Sequence, residues 1–432
     1  MSERALPRAG EGDNHVREGR SAAQQPLRIA LLGYRSNPYS GGQGVYLKYL
    51  SRALVDAGHQ VDVISGEPYP ELDDRVRLIE LPGLNLFAKD NHVTALRPKH
   101  LLSATDFFEW FSMLTGGFPE PYTFGRRLTR YFASGDLGYD LIHDNQSLSY
   151  GLLRLAHSGT PVVCTIHHPI TWDRDIALAH GKDWRERLLI RRWHGFLRMQ
   201  TRVARKLRHI VTVSERSKRD ICAVFNIPPE RVTVVYNGID TDMFRPEPSI
   251  ARNRWQLITT ASADQPLKGT QHLIPAFAEL CTSFPKLRLV FIGKPKPGGK
   301  TETLIEKLGV KERIRFVHGI STDEIRHLYA GSAIAVVPSE YEGFGLPAAE
   351  AMACATPLVA TDGGALPEIV GDAGRIVPSK DPGALARAIA ELLRDHKQRE
   401  ALAVAGRKRI VECFSWLRAA DQLVALYQRV LR

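Results

Sequence analysis

Residues 334–353 read IAVVPSEYEGFGLPAAEAMA: a short apolar run at 334–337, a turn built on Gly343 and Gly345, and a helix of small residues after Leu346. A strand that passes through a glycine turn straight into a helix is one step of a βαβ unit, and the rest of the chain repeats it. Around this stretch, strand candidates fall at 257–260, 288–292, 315–317, 358–360 and 375–377. The first half has its own set at 27–32, 60–64, 76–81, 140–143, 162–166, 209–213 and 232–236. Helical patterns fill the gaps, so the chain is predicted to be α/β, with a doubly wound parallel sheet in each half. Between the halves, residues 237–248 read NGIDTDMFRPEP, a turn signal followed by two prolines that discourage helix or strand. The predicted division is a flexible tail at 1–25, a first domain at 26–240, a linker at 241–248, a second domain at 249–411 and a terminal helix at 412–432. Open parallel sheets bind ligands beyond the carboxyl ends of their strands, which places the chemistry in a cleft between the halves.

Composition narrows the class. The 432 residues exceed one hydrophobic core, and 44% hydrophobic with 24% charged residues fits neither a disordered chain nor a fibrous repeat. Charged residues, Gly or Pro interrupt every apolar run well short of the roughly 18 residues a membrane span needs. The first 25 residues lack the apolar core of a secretory signal, and the five cysteines stand far apart in sequence, so a reducing, cytoplasmic setting is expected. Of the net charge of +11, most lies at 182–209, where ten Lys or Arg face Asp183 and Glu186. That segment also carries Trp184, Leu188, Leu189, Trp193 and Phe196. It fits an anionic membrane surface, at the inner face of a cytoplasmic membrane, or a solvated helix whose apolar stripe packs on its own domain. A second unusual stretch, 84–129, gathers Phe107, Phe108, Trp110 and Phe111, suited to a small satellite core or to a greasy acceptor beside the cleft.

Four motifs end predicted strands. After Gly33 comes Gly41-Gly42-Gln43-Gly44, opening a helix where bare amides favour an anion; the spacing is neither a dinucleotide fingerprint nor a Walker loop. Thr165-Ile166-His167-His168 places an imidazole at the sheet edge, and neighbouring histidines on opposite faces make a poor metal pair. Lys268-Gly269 offers a point charge to a phosphate at a helix start. Glu342 and Glu350 are eight residues apart, about 80° on a continuous helix, so both line one cleft only if Glu342 sits in the loop.

With Val213-Ser214, Asn237-Gly238-Ile239-Asp240 and the closing Phe414-Ser415-Trp416, these motifs resemble the retaining glycosyltransferases of family 4 over almost all of 27–432. The resemblance implies the GT-B fold, two Rossmann-like domains facing across a cleft with a C-terminal helix crossing back to the first. It implies transfer of a hexose from a UDP- or GDP-sugar to a lipid or glycan acceptor, the nucleotide sugar being a co-substrate and no cofactor or metal being required. Glu350 resembles the carboxylate that grips the ribose, Lys268 the diphosphate ligand, and Glu342 the acidic residue near the donor sugar. The amides of Phe344, Gly345 and Leu346 match those that meet the sugar, His167 the histidine that reaches it from the other domain, and Gly42 and Gly44 the loop against the diphosphate. Catalysis is thus expected from Glu342, His167 and Lys268, with growing charge on the leaving diphosphate met by Lys268 and helix-start amides. One departure stands out: where the family commonly has Arg, this chain has Ala263, and Arg35 or Lys294 is the expected substitute. Alternatives on the same residues are a catalytically impaired module binding membrane or RNA, or a sugar phosphorylase or synthase; no RNA-binding fingerprint is present, and nucleic acid is not an expected partner.

Overall fold

The computed structural model describes residues 25–37, 42–86, 97–135, 137–261 and 264–432. The expected tail up to residue 24, Gly41 and Ala263 lie outside them. Among the described residues the first half forms β1 (Arg28–Gly33), β2 (Gln60–Ser65), β3 (Arg77–Glu80), β4 (Leu141–Asn145), β5 (Val162–Thr165), β6 (His209–Thr212) and β7 (Val232–Val234). The second forms β8 (Asn253–Thr260), β9 (Arg288–Ile292), β10 (Ile314–Val317), β11 (Ser332–Val337), β12 (Leu358–Thr361) and β13 (Arg375–Val377). Each falls on a strand read from the sequence, within a few residues at its ends.

The sheet orders are β3-β2-β1-β4-β5-β6-β7 and β10-β9-β8-β11-β12-β13, every pairing parallel. In each half the first strand lies inside the sheet, the chain winds outward, then crosses to the other side. Leu32 pairs with Ile64 on one flank and Asp144 on the other, and Ala335 pairs with both Leu358 and Ile258. The reversals fall between β1 and β4 and between β8 and β11, and crevices open at such points beyond the strand ends. Helices cover both faces of both sheets, which explains why β11 reads SAIAVV and is buried throughout.

The expected helix crossing back is present, but it starts later than about Glu412. Helix His396–Cys413 stops at Phe414, and Ser415 caps a new helix, Trp416–Leu431, by accepting from the Arg418 amide at 3.2 Å. That helix packs on Gly42–Asp56 of the first half, with Trp416 stacked on Tyr49 and Leu423, Leu426 and Tyr427 buried. The two chain passages between halves run side by side: the Ile239 amide donates to the Phe414 carbonyl at 2.8 Å.

The basic segment divides. Helix Leu197–Lys206 buries Leu197, Met199 and Val203 in its own domain, whereas Trp184–Trp193 leaves Trp184, Leu188 and Leu189 exposed. Helix Ala104–Leu114 divides likewise: Met113 joins Leu84 and Leu86 in a satellite core against Trp110 and Trp193, while Phe107, Phe108 and Phe111 face solvent.

Candidate active site

The crevice of the second sheet is assembled by loops leaving β8 and β11. The turn after β8 ends on Gly269 at φ +68°, where a Cβ would strike the Pro338 carbonyl, so glycine lets the two loops touch. The Glu340 amide donates to the Leu267 carbonyl at 2.8 Å and locks them. Lys268 Nζ then lies 2.8 Å from Glu342 Oε1, which also accepts from Ser339 Oγ at 2.8 Å. Glu342 sits in the loop, backed by Gly364 and with its carbonyl accepting from the Ala365 amide, ahead of the helix that carries Glu350.

Gly345, at φ +102°, turns the chain into helix Leu346–Ala353 without a side-chain cap. The amides of Phe344, Gly345 and Leu346 make no hydrogen bond among the described residues, leaving three donors at a helix start. Glu350, one turn in, is half-buried, and its carboxyl also has no hydrogen-bond partner among the described residues. Burial pushes its pKa up to about 8, because nothing nearby stabilises the charge. A carboxyl held without partners yet reached by solvent is suited to accept two hydroxyls.

The first sheet supplies the opposing wall. His167 follows β5, its amide donating to Gln146 Oε1 at 2.8 Å and its Nε2 lying 2.7 Å from Asn145 Oδ1. Asn145 spends its amide nitrogen on the Gln43 carbonyl, so its oxygen must accept and His167 carries its proton on Nε2. Burial, with the nearby His168 and His143, lowers the His167 pKa to about 3. The neutral ring therefore keeps Nδ1 as an acceptor. His168 faces the second half, its ring 5.8 Å from that of Tyr341 and its Nδ1 3.2 Å from where a Gly343 Cβ would stand; burial pulls its pKa down, but Asp173 at 2.8 Å outweighs that and raises it. Asp173 is thus a histidine partner, and Asp240 accepts from the amides of Asp242 and Met243 in a turn.

Gly42 begins its helix facing Leu346, and a Cβ there would sit 3.8 Å from Leu346 Cδ1. Gly44 meets the Asn37 carbonyl too closely for any side chain. The halves touch where these parts converge. Ser214 Oγ and Ser217 Oγ donate to the Gly343 carbonyl at 2.8 and 3.1 Å, and Trp172 stacks on Tyr341. Asn145, Gln146, Ser339 and Glu340 were not singled out in the sequence; standing at the carboxyl ends of β4 and β11 was the signal they offered. Of the two expected substitutes for the missing arginine, Arg35 is paired with Glu120 at 3.0 Å, whereas Lys294, exposed at the end of β9, has no ion-pair partner among the described residues.

Residues 40–243 match Glycosyltransferase Family 4, and residues 243–409 match Glycosyl transferases group 1. The MMP alpha-(1->4)-mannosyltransferase of Mycolicibacterium hassiacum is 44% identical over 94% of this chain and 98% of its own length. D-inositol 3-phosphate glycosyltransferase 2 of Catenulispora acidiphila is 31% identical over 85% of this chain and 87% of its own. Among solved structures, sucrose-phosphate synthase from Thermosynechococcus elongatus superimposes with a TM-score of 0.70 over 94% of this chain and 99% of its own at 22% identity, a likeness of fold. The chain belongs to the family 4 glycosyltransferases, glycosyl transferases group 1, and is a retaining hexosyltransferase of the GT-B fold.

Proposed function

We propose that the enzyme moves a mannosyl residue from a UDP- or GDP-linked donor to a glycan, forming an α-(1→4) bond. The pairing of Lys268 with Glu342, and the three unpaired amides and unpartnered Glu350 on the loop and helix that follow β11, with the His167 carbonyl against Gly343, carry this reading. The similarity to the mannosyltransferase supplies the sugar and linkage. Glu350 accepts from the ribose hydroxyls, and Lys268 with the helix-start amides and the turn of Gly42 and Gly44 holds the diphosphate. When the diphosphate takes Lys268, Glu342 exchanges that partner for a sugar hydroxyl, and His167 Nδ1 accepts another. Charge developing on the leaving diphosphate meets fixed donors, which is the main catalytic device. The departing phosphate oxygen takes the acceptor proton from the front face, so the anomeric configuration is kept. Lys294 takes the place of the absent arginine.

The domain division at 241–248 is likewise proposed, supported by the paired passages at Ile239 and Phe414. A lipid-borne acceptor at an anionic membrane is a second reading, favoured by exposed Trp184, Leu188, Leu189 and Phe111 beside the arginines of 185–191. Thermal melting with UDP, GDP, ADP and dTDP, with and without a chelator, tests the donor site. One nucleotide near 100 times its Kd should stabilise by about 2.7 kcal/mol, with or without chelator. No shift with any of them contradicts the assignment.

A further inference from the structure

A buried polar chain runs from the terminal helix to the cleft and is not used by the donor site itself. Tyr427, fully buried on helix Trp416–Leu431, sets its Oη against His143 Nδ1 on β4. His143 Nε2 lies 2.7 Å from Thr165 Oγ1, the last residue of β5. The same hydroxyl meets Tyr46 Oη at 3.0 Å. Tyr46 stands on helix Gly42–Asp56 with its ring edge-on to His167, centroids 4.8 Å apart at 88°. Trp416, at the other end of the terminal helix, packs against Tyr46 as well, at 5.9 Å and 66°. One helix therefore reaches Tyr46 twice, directly through Trp416 and through hydrogen bonds from Tyr427.

His143 is buried and neutral, so one ring nitrogen donates and the other accepts, and each has one partner. Loss of either hydroxyl strands a buried ring nitrogen, and the ring must move to find another partner. That movement passes to Thr165 and Tyr46, and Tyr46 is the surface against which His167 rests. The other end of the relay is anchored near the donor loop: Phe414, just before the terminal helix, packs edge-on to Phe344 at 5.8 Å.

We infer that Tyr427 is a positioning residue for transfer, setting the orientation of His167 toward the donor sugar through His143, Thr165 and Tyr46. This rests on the proposed contact between His167 and that sugar. It is a role for the crossing helix beyond joining the domains. His167 stays hydrogen-bonded to Asn145 when the relay breaks, so donor affinity is largely kept while the reactive geometry loosens.

Steady-state kinetics of the full-length enzyme with a nucleotide-mannose donor test it, each variant assayed well below its melting midpoint. Tyr427→Phe and Thr165→Val should each lower kcat roughly tenfold, the scale of a small misplacement of a reacting group. Donor KM should change by less than about twofold, and Thr165→Ser should restore kcat. Tyr427→Phe added to His167→Ala should slow the enzyme no further than His167→Ala alone, because residues acting through one group are not additive. Full additivity in that pair, or an unchanged kcat in folded Tyr427→Phe and Thr165→Val, overturns the inference. If His167→Ala leaves kcat unchanged, the donor-sugar contact falls and takes the relay with it; if His167→Ala is slow and Tyr427→Phe is not, the relay alone falls.

Discussion

At the residue scale, Glu350 makes the sharpest prediction. Its carboxyl, raised to about 8 by burial, is mostly protonated in the empty enzyme at pH 7. Two donated hydroxyl hydrogen bonds favour the ionised form, so nucleotide binding releases a proton and affinity rises with pH below about 8. Calorimetry at pH 7 in buffers of different ionisation heat should detect release of nearly one proton, absent in Glu350→Gln. Proton uptake, or no exchange in the parent, contradicts the ribose role. Lys294→Ala should weaken nucleoside diphosphate binding by roughly 1.5–3 kcal/mol, the worth of a charge-assisted hydrogen bond. Arg35→Ala should leave that affinity unchanged and lower the melting temperature, because it strips Glu120 of its ion pair. Equal binding by Lys294→Ala and parent removes Lys294 from the site. The positions of Lys268, Glu342, Glu350 and His167 after their strands were legible because each sits in a local strand-turn-helix pattern. The His143 to Tyr427 bond was not, since its partners are 284 residues apart.

At the element scale, the strands were legible because burial on both faces makes parallel strands nearly continuous apolar runs. The break at Phe414 was harder to place. Helical sequence continues on both sides, and only the packing of Phe414 on Tyr236 and Phe344, with the Ser415 cap, decides where one helix stops. The basic segment was legible as amphipathic but not as two helices with different fates, because composition does not say which apolar stripe finds a neighbour. Arg192 is held by Thr115 Oγ1 at 2.8 Å, whereas Arg185, Arg187 and Arg191 remain exposed beside Leu188 and Leu189. If this helix meets a membrane, the protein should float with anionic liposomes. Replacement of Arg185, Arg191 and Leu188 by Ser should abolish flotation and leave transfer to a water-soluble glycan intact. Failure of the parent to float removes the membrane reading and leaves the glycan one.

At the scale of the whole molecule, two sheets are joined by contacts that sequence proximity could not reveal. The Glu368 carboxylate of the second half receives the Glu215 and Arg216 amides at 2.8 and 2.6 Å, capping helix Glu215–Phe225 of the first across the cleft. Tyr341 Oη donates to Asp220 at 2.8 Å beside it. The passage between halves is tight at Gly238, where a Cβ would overlap the Trp416 backbone. Gly238→Ala should therefore cost about 1–3 kcal/mol by overpacking and lower the melting temperature; an unchanged midpoint argues against close crossing there. The two sheets and the returning helix were legible in outline, while the contacts that hold the halves together appeared only once both sheets were in place. The central claim is transfer with retention from a nucleotide-mannose, and the most direct measurement is the proton NMR spectrum of the product formed on an α-(1→4)-mannooligosaccharide. A new α-anomeric signal with the parent enzyme, missing with Lys268→Ala and Glu350→Ala, is the predicted result. A β-anomeric product, or no product from either GDP- or UDP-linked mannose, would contradict it.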